Sequence, residues 1–227
     1  MARASSRDAI LLVFAEMVAD RGYAETSIAD VATALGLSKG TVVHHFGDKQ
    51  SMLGELHAAY FTRRFAEVDH VLAELPDPVD RLVALMYLML VAHRDDRAAT
   101  LACLRELVRY LTGELHGYVH RQRERFTGVV VDTLVAGRTA GALTVDDPEM
   151  TALQIFGMCN YAWTWYRPDG RQTVEEITTV FASGLLRGLS SDATGPSDVG
   201  ARVERAARVV RSAPGRLPAP APAGPPA

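Results

Sequence analysis

Between Thr26 and Lys49 the chain gathers residues whose types suit contact with a nucleic acid: Thr26, Ser27, Ser38, Lys39, Gly40, Thr41, His44 and Lys49. Hydroxyls and free backbone amides at helix starts hold phosphate oxygens, and cationic side chains add charge. Lys39, Gly40 and Thr41 open a short predicted helix, where small side chains let the backbone approach base edges. Thr26, Ser27 and Ser38 also qualify as helix caps, a role compatible with phosphate contact. A different chemistry is offered by His116 and His120, four residues apart, a spacing that can grip a divalent metal from one helical turn. A third ligand such as His93 would have to arrive by folding. Cys103 and Cys159 read as buried apolar packers, and two cysteines cannot make a disulfide framework or a zinc module. Catalysis finds no support: the chain has no P-loop and no G-x-G-x-x-G, its G-x-S-x-G match at Gly36–Gly40 falls in the turn between two predicted helices and not after a strand, and isolated Ser and His residues give no ordered triad.

Helices must position these groups. Ile10, Leu11, Phe14, Met17 and Val18 recur at helical spacing and stop at Asp20-Arg21-Gly22, which predicts a first helix. Ser27 followed by Asp30 has the form of a capping box and starts a second helix that runs to about Ala34. Gly36 supplies the positive φ of a tight turn, and Ser38 caps a third helix that reaches His45. A fourth helix begins at Asp48 and carries the stripe Met52, Leu53, Leu56, Tyr60, Phe61, Phe65, Val68 and Leu72. Further helices are predicted at about 78–93, 97–111, 114–139, 148–166 and 173–189, and no segment alternates as a strand would. The fold class is therefore all-α with about nine helices.

Hydrophobic residues make up 48% of the 227 and charged residues 22%, the balance of a globular chain. The longest apolar stretches, such as Leu82 to Ala92, fall short of the roughly 18 residues that cross a bilayer. No secretory signal is apparent, so the expected location is cytoplasmic, with no membrane partner. Arginine supplies 22 of the 24 basic residues, and the formal charge is -3. Residues 1–50 hold five basic and six acidic side chains, so no general basic excess announces nucleic acid. Seven of the eleven prolines follow Ser191. Three regions are expected: a helix-turn-helix head at 1–50, a helical body at 51–190, and a Pro/Ala/Arg-rich disordered tail at 191–227 with a transient helix at 201–211.

A helix-turn-helix pair alone does not imply DNA binding. Here, however, G-Y-A-E-T-S-I-A-D-V-A-T-A-L-G-L-S-K-G-T-V-V-H-H-F-G-D-K-Q-S-M-L, Gly22 to Leu53, closely resembles the DNA-binding signature of the TetR family of transcriptional regulators. The resemblance implies a homodimeric repressor on an inverted-repeat operator of double-stranded DNA, with the second helix of the pair in the major groove. It also implies a larger domain that dimerises through its last two helices and encloses a pocket for a small hydrophobic effector. Val43 departs from the pattern, which has tyrosine there. Valine offers no phosphate donor and only an apolar contact, such as to a thymine methyl.

A second resemblance concerns N-Y-A-W-T-W-Y-R-P-D-G-R, Asn160 to Arg171, which looks like the C-terminal region of TetR-family regulators of lipid and sterol catabolism. It implies an acyl-CoA effector contacted by Trp163 and Arg167, four apart and so on one face of a helix. Met86, Met89, Tyr110 and Tyr118 are further expected ligand contacts, among apolar walls with few polar points. No permanent cofactor is expected. The competing readings are a metal-responsive or drug-responsive regulator and, from another class, a helical acyl-ligand-binding protein or enzyme without specific DNA binding.

Overall fold

A computed structural model describes residues 6–105, 110–190 and 197–217. Ten α-helices follow in order: α1 (Ser6–Arg21), α2 (Ile28–Ala34), α3 (Lys39–Phe46), α4 (Lys49–Glu74), α5 (Pro78–Asp95), α6 (Arg97–Arg105), α7 (Gly113–Thr139), α8 (Pro148–Asn160), α9 (Val174–Leu189) and α10 (Val199–Arg211). A 3-10 turn, Tyr161–Thr164, follows α8, and no strand occurs among the described residues. No helix among them is long and apolar enough to cross a membrane.

The chain divides into two compact units. The first holds the described residues up to Thr62 and Asp96–His120; the second holds Arg63–Asp95 and the described residues from Arg121 onward. The unit containing the helix-turn-helix thus extends past residue 50, taking in the first half of α4, all of α6 and the start of α7. Its core includes Ile10, Phe14, Val18, Val31, Val42, Phe46, Met52 and Leu53. α1 packs on α6, and Gly54 on α4 approaches Leu115 on α7.

In the second unit α5 is the central element. Every residue from Leu82 to His93 is buried, as expected of a helix that is apolar all round and must be covered on every side. α8, α9 and α10 all pack against it.

Three expectations need correction. The stretch after Ser191 is not a structureless tail over its described part. Val199, Val203, Ala206, Ala207 and Val210 are buried on one face of α10, and composition alone hid this 3.6-residue periodicity among arginines. Those arginines are anchored: Arg202 reaches Asp80 at 2.7 Å and Asp77 at 3.1 Å, and Arg205 also pairs with Asp80. Beyond α10, Arg216 binds Glu67 at 2.7 Å and pairs with Asp95. Residues 191–196 and 218–227 lie outside the described residues.

The helix expected over 148–166 ends at Asn160 instead. Both Trp165 and Tyr166 donate their backbone N–H to Ala162 O, at 3.2 and 2.8 Å, which tightens the chain before Pro168. Proline disfavours helical geometry at the preceding Arg167, and Gly170 N–H closes a turn onto Arg167 O at 2.9 Å. The helix expected over 97–111 is described only to Arg105; residues 106–109 lie outside the described set, and Tyr110 is not helical.

Candidate functional site

The helix-turn-helix is built from local chemistry. Ser27 caps α2 by accepting from Asp30 N–H at 3.1 Å, while the Asp30 carboxylate accepts from Ser27 N–H at 2.9 Å. Ser27 N–H and the Ser27 hydroxyl, which also donates to the carboxylate at 2.8 Å, hold the Asp30 carboxyl below its usual range. α2 ends in a Schellman arrangement: Leu37 N–H reaches Ala32 O at 2.8 Å and Gly36 N–H reaches Thr33 O at 3.1 Å. That geometry requires a φ of 63° at Gly36, where a side chain would be strained although space is open. Ser38 then caps α3, accepting from Thr41 N–H at 3.1 Å, with its hydroxyl 2.8 Å from the Thr41 hydroxyl.

α3 has two contrasting faces. Val42 and Phe46 are buried, whereas Lys39, Gly40, Val43 and His44 are exposed and Thr41 is half-buried. The exposed set lies on one side of the helix and contains no acid. Gly40 is conformationally ordinary, since its φ is not positive. A Cβ built there would meet only the Ser38 hydroxyl, at 3.6 Å. Among the described residues nothing requires glycine at this position.

Two of the expected phosphate contacts are turned elsewhere. Thr26 is fully buried and its hydroxyl donates to Gly22 O at 2.9 Å, so it braces the loop before α2 and cannot reach a phosphate. The Lys49 ammonium donates to Tyr23 O at 2.7 Å and sits 4.1 Å from the Tyr23 ring centroid. It ties the start of α4 to the loop between α1 and α2, so its charge is directed inward. Ser27, Ser38, Lys39, Gly40, Thr41 and His44 remain at or near the surface. Sequence spacing could not orient Lys49, whose partner Tyr23 lies 26 residues away along the chain, whereas Thr26 is turned inward by a carbonyl only four residues before it.

The expected ligand residues are divided between the two compact units. Tyr110 and Tyr118 belong to the first unit, where Tyr110 packs on Tyr23 with centroids 5.1 Å apart and Tyr118 lies edge-on to Phe61 at 6.4 Å. Met86 and Met89 are buried core residues of α5 in the second unit. Trp163 stands in the 3-10 turn and is 37% exposed, and exposed Arg167 donates to Tyr166 O at 3.2 Å. Because the backbone between them is not α-helical, their separation by four residues does not place them on one helix face.

Large apolar side chains are also exposed on the two helices expected to dimerise and just beyond the first of them. Met150, Leu153, Tyr161 and Trp165 are exposed along α8 and just beyond it, and Val180 is exposed on α9. Gly184 and Gly188 continue the Val180 face, with open space where their Cβ atoms would stand. Small residues beside large exposed apolar ones permit close helix packing against another surface. Trp165 itself lies edge-on to Phe181, at 6.2 Å.

The His116 and His120 rings are nearly parallel, with centroids 6.4 Å apart. Among the described residues no group of three or more His, Cys, Asp or Glu side chains could hold a metal ion. Cys103 and Cys159 are buried as free thiols, and burial pushes the Cys159 thiol up to about 12.

Comparison with known proteins matches both ends of this architecture. Residues 10–56 match the family described as "Bacterial regulatory proteins, tetR family", and residues 76–189 match "Tetracyclin repressor-like, C-terminal domain". The chain is 27% identical over 190 residues to the HTH-type transcriptional repressor KstR2 of Rhodococcus jostii, covering 83% of this chain and 93% of that one. The solved structure of the ketosteroid transcriptional regulator KstR2 of Mycobacterium tuberculosis superposes with a TM-score of 0.78 at 25% identity, over 84% of this chain and 97% of the other. AibR in complex with isovaleryl coenzyme A and operator DNA superposes with a TM-score of 0.71 at 26% identity, over 78% and 96%.

Proposed function

This chain belongs to the TetR family of bacterial regulatory proteins, and from that premise we propose that it is a cytoplasmic, homodimeric repressor whose operator is released by an acyl-CoA thioester. DNA binding and transcriptional regulation are its activity; the effector and operator symmetry are the proposal. The observation that carries the DNA reading is the outward face of α3, a surface of Lys39, Gly40, Val43 and His44 without an acid. Two such heads in a two-fold dimer require an inverted repeat with half-site centres about one helical turn or a multiple apart. The exposed Met150, Leu153, Val180, Gly184 and Gly188 support a partner subunit on α8 and α9.

Support for the effector class comes from AibR, whose solved complex holds isovaleryl coenzyme A together with operator DNA. In this chain Trp163 and Arg167 supply a ring and a guanidinium suited to an adenine and phosphates. Release follows from linkage: a thioester that binds the DNA-incompetent form more tightly lowers operator affinity by that difference.

Calorimetry with a panel of acyl-CoA thioesters, the matching free acids and zinc tests this reading, alongside an electrophoretic shift on DNA upstream of the coding region. A thioester should give heat and release DNA, and Arg167→Ala should retain DNA binding while losing the response. Heat from zinc alone would transfer the effector role to His116 and His120. Heat from no thioester would reject the acyl-CoA assignment.

A further inference from the structure

One large apolar side chain stands on the outward face of α3. Val43 is 39% exposed, while the neighbouring apolar residues Val42 and Phe46 turn inward. Gly40 lies one turn earlier on the same face and offers no side chain. Together they form a smooth apolar patch, with Lys39 and His44 beside it. Such a patch is ill matched to most of the major groove, whose edges are hydrogen-bond donors and acceptors. The exception is the thymine 5-methyl group. A valine pressed on the edge of a G·C pair would strip water from polar groups and return no hydrogen bond, at a cost in affinity. The same valine against a thymine methyl removes two apolar surfaces from water at once.

We infer that Val43 is a specificity-determining residue that reads one thymine in each half-site through its 5-methyl group. The inference rests on α3 being the groove-reading helix. Gly40 permits the approach, because a side chain one turn away would hold Val43 off the base. Lys39 and His44 supply polar or phosphate contacts that do not depend on the methyl.

Replacing thymine by deoxyuridine removes the methyl and leaves base pairing unchanged. Fluorescence anisotropy with the full-length chain would use duplexes of the footprinted upstream site, each with one symmetric pair of thymines changed. At one pair the wild type should lose about fourfold in affinity for each methyl removed, roughly tenfold or more for both half-sites. The other thymines should be silent. Val43→Ala, a change on an exposed helix face to a better helix former, should bind thymine and uracil duplexes alike, and Val43→Ile should retain the discrimination. Specific binding that is indifferent to uracil at every position would overturn the inference and leave the DNA-binding reading intact. Discrimination that persists in Val43→Ala would assign the methyl to another residue and also overturn it. A wild type that binds no duplex specifically would overturn both readings.

Discussion

Replacing Gly40 by alanine should move stability and operator affinity in opposite directions. Gly40 is the second residue of α3, with a φ outside the left-handed region, so an L-residue fits its backbone without strain. The added methyl would stand 3.6 Å from the Ser38 hydroxyl, an ordinary van der Waals contact. Alanine is favoured over glycine within a helix by up to about 1 kcal/mol, and a site near the helix start should gain about 0.5–1 kcal/mol. For a chain of this size that raises the melting temperature by about 1–4 °C. At the DNA surface the same methyl occupies the gap that lets the backbone approach base edges, and a tenfold loss of operator affinity would correspond to about 1.4 kcal/mol. Thermal denaturation and anisotropy on specific and unrelated duplexes at matched salt would measure both effects. Affinity for unrelated DNA should be unchanged, since it comes from phosphate contacts. A more stable variant with unaltered operator affinity would show that α3 does not bring Gly40 to the bases, and a less stable one would refute the packing argument.

Other consequences follow from the same structural features. Val203→Ala should cost about 2 kcal/mol of stability, from two buried methyl groups and the space they leave; truncation after Ser190 should uncover the α5 surface and promote dye binding or aggregation, whereas unchanged melting in both would refute the docking of α10. Lys39→Ala should reduce the slope of log affinity against log salt by about one for each phosphate that the lysine neutralises, while Lys49→Ala should lower thermal stability by untying α4 from Tyr23 and leave that slope unchanged. His57 is fully buried, its Nδ1–H donates to Leu53 O at 2.8 Å, and Nε2 has no hydrogen-bond partner among the described residues. Burial holds its pKa below the usual 6.5, so below that pH the unfolded chain takes up a proton that the folded one refuses. Stability should therefore fall as pH drops below about 6.5, by up to about 1.4 kcal/mol per pH unit. His57→Leu should remove that component of a pH series of denaturant titrations, and an unaltered slope would exclude His57 as its source.

What the sequence made legible was whatever its neighbours along the chain decide. Ser27 and Asp30, Gly36, and Ser38 act within a few residues of themselves, so their spacing was enough to place α2, the turn and α3. Lys49 could not be oriented in the same way, because its ammonium is aimed by Tyr23 O, 26 residues away along the chain. Thr26 is a local case in which the expected phosphate contact did not hold: its hydroxyl donates to Gly22 O, four residues before it. The expectation that Trp163 and Arg167 share one helix face did not hold, for a related reason. Their four-residue separation has meaning only inside an α-helix, and Pro168 ends helical geometry just where the pair would need it.

The C-terminal extension shows the same limit at the scale of an element. Residues 199–217 lie beyond the segment that matches the family's C-terminal domain, which stops at 189, yet they complete the second unit's core. Taken alone, the arginines of α10 read as a solvated basic run. Their partners are carboxylates distant along the chain: Arg202 and Arg205 converge on Asp80, and Arg211 lies 3.8 Å from Glu175. Arg216 enters between Glu67 and Asp95, with all three side chains under 10% exposed. Ion pairs this buried add little net stability, because desolvation offsets their attraction, but removing one partner is costly. Apolar side chains hold α10 on α5, and Arg202 and Arg205 meet Asp80 of α5 across that contact. An apolar α5 buried on every side therefore demanded a cover that its own sequence could not identify, and the charges identify it.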